Sequence, residues 1–305
     1  MNAFLPILML STTLLNATPP LSDTTIIKQH LTVLTKTPLP RDYRHIAQLN
    51  DAADFIKSIF TLYADSVVFQ PYIENKQIYK NVIASFGPKD APRIIVGAHY
   101  DVCETQPGAD DNASGVVGLL ELARLLKGET LRNRIDLVAY SLEEPPYFRS
   151  ELMGSFVHAG SLSKQKVNVL GMVCLEMIGY FRDEPHSQKY PIPSLSMVYG
   201  NKGDYITLVR KAASGSFARQ FSNKFVATKT IKTKEFVGFS WVQGIDYSDH
   251  LNYWKFGYSA LMITDTSFFR NPNYHQPTDT METLDLNRMS KVIDAVFLAL
   301  QSYSN

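Results

Sequence analysis

Residues 93–126 read RIIVGAHYDVCETQPGADDNASGVVGLLELARLL, and the fold class follows from how this stretch is parsed. Residues 93–98 are a short β-type run. From Ser114 onward, Val117, Leu120, Leu122, Leu125 and Leu126 fall at helical spacing behind a Gly/Asp/Asn/Ser cluster of the kind that starts a helix. Between strand and helix lie His99, Asp101, Asp110 and Asp111, side chains that carry chemistry rather than packing. Working outward, further strands are expected at 81–86, 135–141, 167–175 and 260–264, and further helices at 48–63, 204–218 and 287–301. The runs 135–141 and 167–175 are continuously apolar, as in strands covered on both faces. The alternation predicts a single α/β domain with a central mixed, mainly parallel β-sheet flanked by helices on both faces. Strands 81–86 and 93–98 could pair as a hairpin.

Composition fits one domain. The chain has 305 residues, 45% of them hydrophobic, enough for one large core, and Pro and Gly are too evenly spread to mark a linker. Thirty basic residues against 29 acidic give a net charge of +1 with no basic block, which argues against a nucleic-acid partner. Residues 4–15 form an apolar run of secretory length, so residues 1–20 are expected to be a signal peptide, with 21–305 as the domain and a secreted or periplasmic location. No Lys or Arg precedes the run and Pro6 interrupts it; an apolar segment packed on a cytoplasmic protein is the alternative. No other stretch approaches the ~20 apolar residues of a membrane span. Oligomeric state is not legible. Cys103 and Cys174 read as small buried residues, a mutual disulfide being the alternative.

The polar clusters fall just beyond the expected C-terminal ends of strands, where open α/β sheets bind ligands. His99 and Asp101 follow 93–98, Glu143 and Glu144 follow 135–141, Glu176 closes 167–175, and Tyr274-His275 lies in the loop after 260–264. Each has a bland reading: a lone His is usually a satisfied polar residue, Asp110-Asp111-Asn112 is a good turn or helix cap, and adjacent glutamates are usually solvated. Together they supply imidazoles and carboxylates for divalent metal. In His99-Tyr100-Asp101 the outer side chains share one side of an extended segment, so Asp101 can accept the distal ring N–H. Pro145-Pro146 holds Glu144 extended and stops a helix starting there. Glu143 and Glu144 then project differently, one able to ligate metal and the other to reach a bound water.

In this order the motifs resemble the co-catalytic dizinc aminopeptidase family, which contains aminopeptidase S, aminopeptidase Y and the glutaminyl cyclases; the resemblance covers roughly residues 75–300. It implies a zinc-peptidase fold in which His99 and Glu176 hold one Zn2+, Glu144 and His275 hold the other, and Asp111 bridges them. It further implies Glu143 as general base, Asp101 as support, Tyr274 as a donor to the carbonyl under attack, and a cis bond at Asp111-Asn112. The implied reaction is metal-dependent exopeptidase hydrolysis of N-terminal peptide bonds, through a water between two zinc ions, on peptides with a free N-terminus; Co2+ or Mn2+ are the expected substitutes. Ser248-Asp249-His250 resembles a segment lining the cleft, giving Asp249 a supporting role toward the His275 loop or substrate, unless it is a turn and helix cap.

Two departures stand out. Glu176 occupies a position where the family more often has Asp, which makes the second metal less secure, and residues 145–151 are longer than the usual connection to Met153-Gly154-Ser155. With residues 236–258, including Phe236, Phe239, Trp241, Tyr253 and Trp254, that insertion is expected to shape the specificity pocket. A glutaminyl cyclase with one zinc, a carboxypeptidase of the same fold and a metal-free receptor-like domain remain as rival readings. No Gly-x-Ser-x-Gly, His-Glu-x-x-His or Cys-x-x-Cys motif offers another chemistry.

Overall fold

The computed structural model describes residues 21–303 except Ser240; the expected signal peptide lies outside the described residues. Eight strands form one sheet: β1 (Ser66–Glu74), β2 (Gln77–Phe86), β3 (Arg93–His99), β4 (Arg134–Tyr140), β5 (Val169–Glu176), β6 (Ile206–Lys211), β7 (Thr233–Gly238) and β8 (Ala260–Thr264). Their order is β1-β2-β4-β3-β5-β8-β6-β7. The inner four, β4-β3-β5-β8, are mutually parallel, whereas β2 and β6 join antiparallel at either side. The helices are α1 (Thr24–Thr35), α2 (Ile46–Thr61), α3 (Gly115–Leu126), α4 (Gly154–Lys164), α5 (Ser196–Tyr199), α6 (Ser216–Ala227), α7 (His250–Lys255) and α8 (Leu286–Gln301).

Periodicity explains the layers. Ile94 and Val96 point from β3 into one core with Val116, Leu120, Val292 and Ile293 of α3 and α8. Their neighbour Ile95 points into a second core with Met172, Ala159 and Tyr253, under α4 and α7. A strand buried on both faces needs no alternation, and β3, β4, β5 and β8 have almost none. The expected α/β sandwich is therefore what forms. β3 is a switch point: the chain moves from it to β4 on one side and then to β5 on the other, opening a crevice at the C-terminal ends of β3 and β5.

Two expectations fail. Residues 204–218 are not one helix: the largely β-branched run Ile206-Thr207-Leu208-Val209 is buried on both faces as β6, and α6 starts only at Ser216, after Gly215 with φ +89°. Burial between β7 and β8 overrides the helical spacing. Nor do 81–86 and 93–98 form a hairpin, because β4 lies between β2 and β3. The hairpin is β1–β2, turning through Asn75 and Lys76, both at positive φ. β1 was not expected at all; Pro71 is tolerated there because β1 is an edge strand.

Candidate metal centre

Three strand ends and two loops bring the predicted ligands together. His99 is the last residue of β3, Glu176 the last of β5, and Glu143-Glu144 follow β4 by two residues. The backbone turns sharply beside them: Leu142, Met177 and His275 have φ of +61°, +50° and +56°, left-handed values that bulky side chains rarely adopt. The loop from Gly108 to Ser114 carries Asp111 into the same crevice, and its Asp111-Asn112 bond is cis, as the resemblance implied.

Asp111 lies between the two imidazoles. Its Oδ1 is 3.4 Å from His99 Nε2 and its Oδ2 is 3.3 Å from His275 Nε2. Glu176 Oε2 completes the first group, 3.4 Å from His99 Nε2, and Glu144 Oε2 the second, 3.2 Å from His275 Nε2. Two ligands each ~2.0–2.1 Å from a tetrahedral zinc lie about 3.4 Å apart, so these separations are those of ligand pairs. The atoms also lack other partners: His99 Nε2, His275 Nε2, Asp111 Oδ2 and Glu144 Oε1 are buried without a hydrogen bond. Buried polar atoms are nearly always satisfied, so four orphans converging on one crevice fit divalent metal. Glu143 Oε2 stands 3.8 Å from His99 Nε2, at the edge of the group.

Electrostatics follow from crowding. Burial alone would lower the His99 pKa, but Glu176 and Glu143 outweigh it and hold the imidazole well above its ordinary value. Burial, then Asp111, lifts the Glu144 carboxyl to about 8. Burial raises Glu143 strongly against the pull of His99, with Glu144 and Glu176 adding to the rise. For Asp111 the sign reverses: burial opposes, but the His275 and His99 imidazoles facing it keep it far below the usual carboxylate range. Tyr274 stacks on His275 with ring centroids 3.8 Å apart, and burial raises its hydroxyl pKa, so it stays a donor.

The supports differ in part from expectation. His99 Nδ1 lies 3.2 Å from the Asp101 carbonyl and 3.5 Å from its Oδ1, while the Asp101 carboxylate oxygens each accept a backbone N–H, from Glu143 and Glu144, at 3.1 Å. Asp101 thus fixes the glutamate pair as much as the imidazole. Asn112 donates to the Leu175 carbonyl and to Glu176 Oε2, and accepts from the amides of Gly115 and Met177. Ser248 donates to Glu176 Oε2 at 2.6 Å, so the 248–250 segment supports Glu176 rather than the His275 loop. Asp249 is fully buried beside it, its carboxyl lifted to about 7 by burial. Cys103 and Cys174 are both free, and the Cys103 thiol lies within 4.8 Å of ligand atoms from Glu144 and His275.

Sequence reasoning missed two residues that hold the Asp111 loop. The Asp279 carboxylate accepts the amides of Asp110 and Asp111, and Arg41 donates to the carbonyls of Leu34, Tyr100, Pro107 and Gly108. Neither sits in a motif; Pro277-Thr278-Asp279 reads as a turn and Arg41 as a surface residue. The aromatic residues expected to shape a specificity pocket do not all meet in one place. Phe148 and Phe236 line the cavity beside the ligands, together with Tyr190, Tyr199 and Phe268. Tyr253 is buried in the second core, and Phe239 and Trp241 stack on each other at 59% and 75% exposure.

Comparison with known proteins identifies the family. The model of Peptidase family M28 matches residues 81–300. The chain is 42% identical to the Escherichia coli (strain K12) uncharacterized protein YfbL, over 94% of this chain and 90% of that one. It is 26% identical to Probable leucine aminopeptidase 1 of Trichophyton verrucosum (strain HKI 0517), over 68% of this chain but 54% of the relative, so it spans about half the length of that protein. Among solved structures, the Legionella pneumophila LapA aminopeptidase shares the fold with a TM-score of 0.71 at 24% identity, covering 93% of this chain and 72% of LapA. By the residues matched and by the metal-binding crevice they build, the chain belongs to peptidase family M28 and is a hydrolase of the metallopeptidase class.

Proposed function

We propose that the protein is an aminopeptidase that removes single residues from peptides with a free N-terminus, using two divalent metals, zinc first among them. The observation that carries this reading is the split of Asp111 between two imidazole–carboxylate pairs, His99 with Glu176 and His275 with Glu144. Metal held there would polarise the scissile carbonyl and make water acidic enough to attack near neutral pH.

The chain's own groups do the rest. Glu143, held by Asp101 through its amide and left at the edge of the ligand set, takes a proton from the attacking water and returns it to the leaving amine. Its raised pKa suits both transfers. Tyr274 donates from its hydroxyl to the carbonyl oxygen as charge develops there. The substrate's α-ammonium is received among the carboxylates of the cluster, which limits attack to the first peptide bond. A glutaminyl cyclase would need only one metal; the presence of both pairs, His99–Glu176 and His275–Glu144, each with an unpartnered buried imidazole nitrogen, favours the two-metal reading.

Glu143→Gln tests the assignment. We expect kcat on leucyl peptides to fall by about 10²–10⁴ with zinc content unchanged. Retained turnover would remove Glu143 as the base, and loss of zinc would make it a ligand, as its proximity to His99 and Glu144 also permits. Weighing the products of Leu- and Gln-peptides separates hydrolysis from cyclisation.

A further inference from the structure

The cavity beside the ligands has a volume of about 260 Å³, and the sheet register gives its floor. Glu176 pairs with Thr264, Thr264 with Thr207, and Thr207 with Lys234, so one row of side chains runs from the metal centre across four adjacent strands. At ~4.8 Å per strand, the backbones of Glu176 and Lys234 are about 14 Å apart. A parallel row, Met262, Val209 and Phe236, is apolar. Both rows line the cavity, under a roof that includes Tyr190, Tyr199 and Phe268.

Charge is segregated along this floor. The lining carboxylates are Asp111, Glu143, Glu144 and Glu176, all in the cluster; the lining ammonium groups are Lys189 and Lys234, and Lys234 stands at the far end of the row. Among the described residues Lys234 has no carboxylate partner. Asp204, the carboxylate that acts on it electrostatically, is taken by Lys232 at 2.6 Å. Lys234 Nζ lies instead 3.7 Å from the centre of the Tyr205 ring, and burial lowers its pKa. Its row neighbour Thr207 is 6% exposed, and the hydroxyl has no hydrogen-bond partner. A buried donor left unmade and a partly desolvated ammonium are both costly. One ligand carboxylate would satisfy the two together.

We propose that this far end is a carboxylate subsite, in which Lys234 and Thr207 hold an anionic group of a peptide whose amino terminus lies among the carboxylates at the other end. The orientation rests on the aminopeptidase reading. An extended chain advances ~3.3–3.6 Å per residue, so a dipeptide fits the 14 Å backbone separation less the reach of the flanking side chains. The carboxylate has two sources: the side chain of an acidic first residue, or the C-terminus of a dipeptide.

Calorimetric binding to metal-loaded Glu143→Gln protein tests the subsite without requiring turnover. Glu-Ala amide offers only a side-chain carboxylate, Leu-Ala only a terminal one, and Leu-Ala amide neither. We expect one carboxylate-bearing peptide to bind about tenfold more tightly than Leu-Ala amide. That preference should disappear when Lys234→Met is added and persist with Lys234→Arg. Preference for Glu-Ala amide assigns the side chain, and preference for Leu-Ala the terminus. Equal affinities, binding of none of the three, or a preference that survives Lys234→Met overturns the proposal. Hydrolysis of the same peptides by the wild-type protein decides the aminopeptidase reading separately.

Discussion

At the residue scale, the arrangement separates groups that bind from groups that aim. Asp101 aims: its two oxygens each take one amide of the Glu143-Glu144 pair, and the carboxylate cannot be replaced by an amide without loss. Asparagine offers one acceptor oxygen and turns an NH2 toward the other amide, leaving that donor buried and unpaired. Asp101→Asn should therefore lower kcat by about 10–100-fold and weaken zinc binding within the same range. Steady-state rates beside a chelator-competition titration check this; unchanged zinc affinity with unchanged kcat would show that the clamp is dispensable. Of the residues that converge, His99, Glu176 and the Glu143-Glu144 pair were legible in sequence because they sit at or just past strand ends, where polar side chains interrupt apolar runs; Asp111 and His275 lie in loops and were picked out by the resemblance. The partner of Asp101 was not legible, since a backbone amide brought from another strand leaves no mark in the sequence.

At the element scale, two connections hold the centre. The Gly108–Ser114 loop would be a flexible turn by composition, yet Asp279 takes two of its amides and Arg41 takes the carbonyls at its entrance. Arg41 is 1% exposed and lies between α1 and α2, so it also ties the α1 C-terminus to the strand that carries His99, through the carbonyls of Leu34 and Tyr100. Burial depresses its pKa only to about 10, so it remains a cation at neutral pH. A lysine has one compact ammonium in place of the planar fork and cannot reach carbonyls on both sides. Arg41→Lys should cost about 3 kcal/mol in urea unfolding through the stranded carbonyls. An effect near zero would mean that water replaces the guanidinium. The same scale shows where reading by pattern stops. β3, β4, β5 and β8 were evident as apolar runs too short for helices, but Ile206–Lys211 carries both periodicities at once. Only its place between β7 and β8 selects the strand.

At the scale of the whole molecule, the parallel centre of the sheet divides two cores that differ in their polar content. The α3–α8 side buries carboxylates, Glu121 and Asp294, which accept from Asp23 and Ser22, whereas the other side buries the neutral chain His158 Nδ1 to Tyr253 to Tyr140, each contact 2.7 Å, and also His250 against the Ile245 carbonyl. The network was not evident in sequence: Tyr140 ends β4, His158 lies in α4, and His250 and Tyr253, in α7, were read as belonging to the cleft instead. It carries a pH dependence. Burial depresses both histidines from 6.5 to about 4, so the fold keeps them neutral while the unfolded chain takes up protons below 6.5. The stability they contribute is complete above pH 6.5 and is lost as pH falls toward 4, at about 2–3 kcal/mol per histidine by pH 4.5. In metal-free protein the raised carboxyls act in the opposite direction: Glu144, at about 8, is protonated in the fold first, which favours the fold as pH drops below 8. The net curve therefore does not isolate the histidines, and a paired comparison does. His158→Gln keeps a hydrogen-bonding group for Tyr253 but does not titrate. Its urea unfolding free energy, measured in chelator at pH 7.5 and pH 4.5, should fall by about 2–3 kcal/mol less than that of the wild type. Parallel losses in the two proteins would place the proton uptake elsewhere.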